Sequence, residues 1–460
     1  MATVAMPAGL PLTATAAAEM LQDARHRTLA LAADLSEEQL RVPLSPILNP
    51  PVWEMGHVGW FQENWLLRHF AGAPPLRPDG DSLWNSSAVA HDTRWNLPLP
   101  SRQETLTYLQ AVLDHVLAAL PEAELPPRHA YFCWLATMHE DMHGEAFTYT
   151  RQTLGYPPPP TAVQGQGTAR QSPSGAPGMG PAFSPAESAI TAPRGDAELP
   201  GGDFLLGALR DTPGFVFDNE QWAHPVRVAP FAIARAAVTQ AEFAAFVAAD
   251  GYRRQEFWTA EGWAWRQAAG ADHPVYWAPG GDGVGGWQRR EFDRWLPLEA
   301  ELPVIHVNAH EAQAYCRWAG RRLPAEAEWE MAAAEAPGEA AKRPWPWGAA
   351  APRPDHARLD GARLGCAPVG AHAAGDSACG CRQMTGNVWE WTATPFGPYP
   401  GFVPGPYQDY SQPWFTPEHR VLRGGCWATR RRLIRNTYRN FYPLHRRDVL
   451  AGFRTCAAAD

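Results

Sequence analysis

Two histidines four residues apart, in Met138-His139-Glu140-Asp141-Met142-His143-Gly144-Glu145, are the residues best suited to chemistry. At 3.6 residues per turn they project from one face of a helix, so both imidazoles can reach a single ion. A pair of histidines on a helix surface is the competing reading, and a third partner decides against it. His57 stands in Trp53-Glu54-Met55-Gly56-His57-Val58-Gly59-Trp60-Phe61, where the apolar neighbours imply burial. A buried imidazole is costly unless it is hydrogen-bonded or bound to metal. The expected metal ligands are therefore His57, His139 and His143. Three neutral nitrogen donors leave coordination positions open, the condition for catalytic rather than structural binding, and imidazole suits Zn, Fe, Ni and Cu alike. Glu145 and Glu63 could add a carboxylate. Glu145 ranks lower because two residues beyond His143 is about 200° around the helix.

The elements that must position these side chains are helical before residue 157. An Ala/Leu-rich helix is expected over 13–34, and Ser36-Glu-Glu-Gln39 is a capping box opening a short one. Further helices are expected over 53–70, after the cap Ser101-Arg-Gln-Glu104, and over 128–154, where Gly155 and the prolines stop the last. Four main helices suggest a bundle. Residues 157–200, rich in Pro, Gly, Ser and Gln, read as a linker too poor in large apolar residues to offset their ordering entropy. Beyond it come many Gly, Pro and Trp, with helices expected over 239–248, over 308–319 behind the cap Asn308, and after Pro324, where Glu326, Glu328 and Glu330 favour a helix N-terminus. A strand is expected over 420–423. The fold class is α+β: a helical domain over 1–156, a linker over 157–200 and a loop-rich domain over 201–460.

Composition narrows the function. The 460 residues carry 48 acidic against 39 basic side chains, a net charge of −9, which excludes a nucleic-acid binder held by bulk positive charge. The 21 Trp and 46 Pro suit a rigid, aromatic-lined pocket. Seven cysteines without framework spacing read as reduced thiols. With no apolar run long enough to span a bilayer and no basic n-region, the expectation is a soluble, cytoplasmic chain that binds neither membrane nor nucleic acid.

A resemblance adds to this. Gly201-Gly-Asp-Phe204, Arg321-Arg-Leu-Pro-Ala-Glu-Ala-Glu-Trp-Glu330, Gly386-Asn-Val-Trp-Glu-Trp391, Val421-Leu-Arg-Gly-Gly425 and Ala451-Gly-Phe-Arg454 resemble the formylglycine-generating, or sulfatase-modifying-factor, fold, a C-type-lectin-like domain. The N-terminal region looks like a DinB-type four-helix bundle, with Gly56-His57 and the His139/His143 pair at that family's ligand positions. The combination resembles the ergothioneine-type sulfoxide synthases and their relatives the selenoneine synthases. That resemblance implies an enzyme in which three histidines hold Fe(II) and O2 is co-substrate. It also implies that a thiol (cysteine or γ-glutamylcysteine) or a selenosugar is coupled to C2 of the imidazole of hercynine. Sulfoxide synthases often carry Gln where this chain has Met142, and a Tyr pair where it reads Ser86-Ser87-Ala-Val-Ala-His-Asp-Thr-Arg94-Trp95. The latter stretch is closer to the selenoneine branch and makes Ser87 and Arg94, with Met142, candidate substrate contacts. Tyr399, Tyr407 and Tyr410 are the candidate proton donors. By the same resemblance Asn440 holds the betaine carboxylate, Phe441 or Tyr442 lies near the trimethylammonium, and Arg446 meets the donor.

Two other readings compete. A formylglycine-generating enzyme needs a cysteine pair before its Gly-Phe-Arg, and the segment 433–441 has none. A ligand-binding module with structural zinc conflicts with the open three-histidine set, since structural zinc is normally four-coordinate. Cys379-Gly-Cys381 could bind metal with Cys366, although closely spaced thiols in a Gly-rich loop are more often incidental.

Overall fold

The computed structural model describes residues 11–160, 192–212, 214–336, 338–339 and 341–458. They fall into two compact units, the first built mainly from residues up to Thr150 together with 210–216, the second from Arg151–Pro158 and the rest of the chain.

In the first unit helix α1 spans Ala14–Ala32, capped by Thr13, and α2, Glu37–Leu40, is opened by the Ser36/Gln39 capping box. Helix α3, Pro51–Gln62, starts on proline, whose fixed φ and missing N–H donor suit the first turn of a helix. It continues into a wider π-helical stretch, Glu63–Phe70. Helix α4 is Gly80–Trp84, α5 is Arg102–Ala118 behind the Ser101/Glu104 box, and α6 is Pro127–Leu154. The expected helices are thus present, with one difference: 53–70 changes its hydrogen-bonding pitch at Glu63. There Glu63 accepts the Tyr108 hydroxyl and, at 2.8 Å, the Leu76 N–H.

A single guanidinium ties this bundle together. Arg25 of α1 is 2% exposed. It donates to Glu140 of α6 at 2.8 and 3.3 Å, to the Leu109 carbonyl of α5 at 2.5 Å and to Gln62 of α3 at 3.1 Å. Four helices are fixed by one side chain. Close approach of α3 to its neighbours is allowed by glycine: a Cβ on Gly59 would lie 2.5 Å from Leu109 and one on Gly56 2.2 Å from the Trp84 ring.

In the second unit, one sheet has the strand order Asp196–Leu199, Phe231–Ala234, Cys456–Ala457, Arg321–Arg322, and another the order Asn440–Pro443, His419–Arg423, Trp389–Pro395, Ala451–Gly452. A two-stranded ribbon pairs Gly202–Leu206 with His224–Val228, and three strands over 277–297 form a meander. Helices α7 (Gln240–Ala248), α9 (Ala309–Trp318) and α10 (Glu326–Ala334) match expectation, the first two behind the Thr239 and Asn308 capping boxes. Helix α8, Ala260–Ala269, is additional.

Two expectations are revised. Asp196–Leu199 pairs along its length with Phe231–Ala234, so the second unit's sheet starts inside the stretch read as linker; residues 161–191 lie outside the described residues. The carboxylates after Pro324 do more than favour a helix N-terminus. Glu328 caps Ala325 N–H at 2.7 Å and takes Arg322 at 2.7 Å. Glu326 pairs with buried Arg439 at 2.7 Å, and Glu330 with buried Arg423. Beside them Arg454 holds Glu390 at 2.6 Å, which also accepts the Trp329 indole at 2.7 Å. No described helix is long and apolar enough to cross a membrane.

Removing one partner of a buried ion pair leaves an uncompensated charge, at a cost of about 3–5 kcal/mol. Glu140→Ala is expected to lower the unfolding free energy by that amount in urea titrations. The double variant Arg25→Met/Glu140→Leu should lose less than the single one.

Candidate metal centre

Helices α3 and α6 bring the three sequence-identified histidines to one point. His57, His139 and His143 each offer a ligand atom within 4.8 Å of the others, and they are the only such group of three His, Cys, Asp or Glu side chains among the described residues. Ring centroids stand 4.6–5.0 Å apart. His57 is 2% and His139 5% exposed, while the His143 side chain retains 18%.

The second nitrogen of two rings is already used. His57 Nδ1 donates to the Trp84 carbonyl at 2.8 Å and His143 Nδ1 to the Glu54 carboxylate at 2.5 Å. A neutral imidazole that donates through Nδ1 keeps its lone pair on Nε2. His57 Nε2 faces His139 Nε2 at 3.3 Å, an arrangement satisfied by one shared proton or one shared cation. With the third donor converging on the same point, the set fits a cation. Aromatic faces fix the ring planes: Trp53 stacks on His57 at 4.8 Å and 10°, and Phe61 on His139 at 3.6 Å and 6°.

Burial is the main reason that His57 and His139 are held well below the ordinary histidine value, with the neighbouring His143 next in each case. Both are thus in the neutral, ligating form at neutral pH. The carboxylate alternatives are absent from the cluster. Glu63 is committed to Tyr108 and Leu76, and Glu145, 6% exposed, belongs to no ligand group with the histidines.

Sequence reading missed Glu54, Trp84 and the stack on His57. Glu54 lies three residues before His57 on α3, a helical spacing that places both on one side. The Trp84 carbonyl had no sequence signal, because it depends on the close approach at Gly56. Arg94, a candidate substrate contact, lies 3.9 Å over the ring of Trp53, the residue that stacks on His57, and donates to Asn49 at 2.6 Å. Ser87 is exposed in the turn after α4, its N–H donating to Asn85 at 3.0 Å, and Met142 is half-buried on α6.

In the second unit the structure separates the tyrosines. Tyr399 is buried, its hydroxyl 3.3 Å from Glu326 and its ring 4.1 Å from the Arg439 guanidinium, and burial pushes it well above the usual phenol range. Tyr399 is thereby a core group. Tyr407 lies 6.4 Å from Tyr410, and Tyr410 stacks on Phe217 at 4.5 Å and stands 6.3 Å from Phe441. Phe441 also stacks on Phe396 at 4.0 Å. Tyr410 and Phe441 therefore share one aromatic nest. Asn440 opens the strand Asn440–Pro443 and its Oδ1 accepts the Phe441 N–H at 2.8 Å. Arg446 lies 5.2 Å over the Tyr442 ring, and its fork grips Asp448 through two bonds of 2.7 Å, so the geometry expected for an anionic donor is filled by a carboxylate of the chain itself.

Partners on the far nitrogen of a ligating histidine typically carry a 10–100-fold effect on metal affinity. Glu54→Gln should weaken metal binding to that extent in competition titrations, and Gly56→Ala should do so by displacing Trp84. Acid acts with a definite sign. His57 and His139 are neutral when folded but take protons when unfolded, so the metal-free protein should lose stability as pH falls below about 6.5. Thermal melts from pH 7 to 5 measure this, and His139→Ala should flatten the slope.

Comparison with known proteins agrees with this division. Residues 184–459 match the sulfatase-modifying factor enzyme 1-like domain and residues 20–146 the DinB superfamily. The hercynine oxygenase of Mycolicibacterium thermoresistibile is 39% identical over 449 residues, covering 95% of this chain and 93% of that protein. That of Mycobacterium tuberculosis is 38% identical over 442 residues, covering 94% and 96%. The formylglycine-generating enzyme of Streptomyces coelicolor is 34% identical over 302 residues, covering 60% of this chain and 88% of that one. With whole-length identity of this order and a DinB region placed ahead of a sulfatase-modifying-factor-like domain, the chain belongs to the hercynine oxygenase family.

Proposed function

We propose that this protein is an O2-dependent non-haem iron enzyme that forms a carbon–chalcogen bond at C2 of the hercynine imidazole. The observation that carries the reading is the convergence of His57, His139 and His143 within 4.8 Å, in a chain related along its length to hercynine oxygenases. Those relatives also count against a non-catalytic module with structural zinc.

Each histidine would hold Fe(II), His57 and His143 through the nitrogen opposite their Trp84 and Glu54 partners. The ion supplies O2 activation and open positions for substrate, as an incomplete ligand set allows. The residues of the chain keep His57 and His139 neutral and dry. Glu54 and Trp84 lock two tautomers, Trp53 and Phe61 fix ring planes, and burial excludes protons that would compete for the lone pairs. Under the resemblance, Asn440 would help hold the betaine carboxylate of hercynine, and Phe441 or Tyr442 would lie near its trimethylammonium. Tyr410, beside Phe441, is the favoured proton donor among the three tyrosines. It is held well above the usual phenol range, first by burial and then by Tyr438, so it stays protonated and able to donate. We favour a selenosugar as donor, on the sequence Ser86-Ser87-Ala-Val-Ala-His-Asp-Thr-Arg94-Trp95. A thiol donor, cysteine or γ-glutamylcysteine, is the second reading, supported by the named hercynine oxygenases.

The test is aerobic incubation of iron-loaded protein with hercynine and, separately, a selenosugar, cysteine and γ-glutamylcysteine, with products identified by mass. A C2-selenated product is expected, and a C2-sulfur product would move the assignment to the thiol branch. Absence of any C2 adduct would overturn the proposal. His139→Ala should lose iron and turnover together; full turnover in that variant would remove the triad. Tyr410→Phe should lower kcat about 10²–10⁴-fold, the usual contribution of a positioned proton donor.

A further inference from the structure

Two sulfur atoms in the second unit have no part in the histidine site. Cys379 and Cys381 flank Gly380 in a tight loop. Ser377 N–H donates to the Cys381 carbonyl at 2.9 Å and Gly380 N–H to the Ser377 carbonyl at 2.8 Å. Cys381 N–H donates to Ser377 Oγ at 3.2 Å. Gly380 adopts a φ of +80°, and a Cβ there would meet Arg235 at 2.3 Å, so the turn requires glycine. This loop places Cys379 Sγ 3.5 Å from Cys381 Sγ and 3.2 Å from Ser377 Oγ.

The two thiols differ in access. No disulfide joins any of the seven cysteines, and Cys379 alone is not buried. It lines an open cleft of about 520 Å³ with Phe204, Ala334 and Lys342 among the walls. Cys381 is fully buried, in the core cluster that includes Ile233, Trp329 and Met384. Cys366 is not a third member, since its Sγ is directed to the Asn387 carbonyl at 3.6 Å and no three-ligand group forms here among the described residues.

We propose that Cys379 and Cys381 are a redox-active dithiol that exchanges with small disulfides entering through this cleft. The Cys379 thiolate attacks one sulfur of RS–SR, forming a Cys379–SR bond and releasing RS⁻. Cys381, giving up its proton, then attacks Cys379 Sγ and expels the second RS⁻. The chain loses two electrons and two protons and gains one S–S bond; the small disulfide gains both and leaves as two RSH. An S–S bond is about 2.0 Å long, so side-chain rotation within the loop must draw the sulfurs together by about 1.5 Å. A bridge spanning a single residue closes a small, strained ring, and strained bridges are readily reduced, which suits reversible exchange.

The electrostatics agree with this division of labour. The hydrogen bond between the two sulfurs lowers the Cys379 thiol from its ordinary value against the opposing effect of burial, with Ser377 and the Arg454 guanidinium acting in the same direction. Cys381 is raised well above the usual value by the same hydrogen bond and by burial. A low value on the reachable sulfur and a high one on the sheltered sulfur is the arrangement of an attacking and a resolving thiol.

The full-length native protein is incubated without O2 with oxidised glutathione as the probe disulfide, quenched in acid and mapped by peptide mass. A Cys379–Cys381 disulfide with release of two equivalents of glutathione is expected, the other cysteines staying reduced. An unchanged thiol count, or a stable glutathione adduct on Cys379 in the unaltered chain, would overturn the proposal. Cys381→Ser should trap that adduct. Should this core substitution impair folding, alkylation of the unaltered protein by N-ethylmaleimide decides: Cys379 reacts first, and prior labelling of any other cysteine contradicts the assignment.

Discussion

A metal-binding imidazole must be neutral, stripped of water and aimed, and the first unit is organised around meeting those three conditions at one point. Burial keeps His57 and His139 neutral. The aim comes from the far nitrogens, which the Trp84 carbonyl and Glu54 hold for His57 and His143. Neither device works unless α3 and α6 keep a fixed separation. Arg25 enforces it, because Glu140 is the neighbour of His139 on α6 and Gln62 lies on α3 five residues beyond His57. One desolvated guanidinium thus links the two helices that carry the three histidines, and the lost hydration is recovered only if all its acceptors are in place.

The second unit solves a different problem. Its short strands and long loops leave backbone carbonyls without ladder partners, and buried carbonyls must be satisfied. Arginines serve them. Arg423 reaches the Asn436 and Tyr438 carbonyls, Arg439 those of Asn219 and Gly397, and Arg454 those of Ala234 and Arg382. Each guanidinium is then neutralised by a buried glutamate, Glu326, Glu330 or Glu390. This explains how a domain with little regular structure supports a defined aromatic nest around Phe441. It also explains why Glu326 and Glu330, the outer members of the Glu-x-Glu-x-Glu run after Pro324, are tied to distant arginines.

Local chemistry made much of this readable from sequence. The caps at Ser36, Ser101 and Asn308 mark helix starts within a residue of where they occur, since a side-chain oxygen and an acid or amide three residues on satisfy orphan N–H groups by themselves. The three histidines were legible because two share a helix face and the third sits in an apolar one. What escaped depends on contacts distant along the chain. The Trp84 carbonyl at His57 and the Arg94 guanidinium over Trp53 arise from loop closure. The occupation of Arg446 by Asp448 is only two residues apart, yet its spacing in a basic run carries no signal of pairing. The strand at Asp196–Leu199 was hidden by composition, because Pro and Gly flank it and only its register against Phe231–Ala234 reveals it.

The central claim is that three imidazoles, and no carboxylate or thiolate, hold one redox ion. X-ray absorption at the iron edge of protein loaded anaerobically with one Fe(II) measures this directly. The account requires imidazole scattering from three rings with light-atom ligands filling the remaining positions, and loss of one ring's contribution in His57→Ala. Two or fewer imidazoles, a protein sulfur at the iron, or an unchanged spectrum in that variant would contradict it.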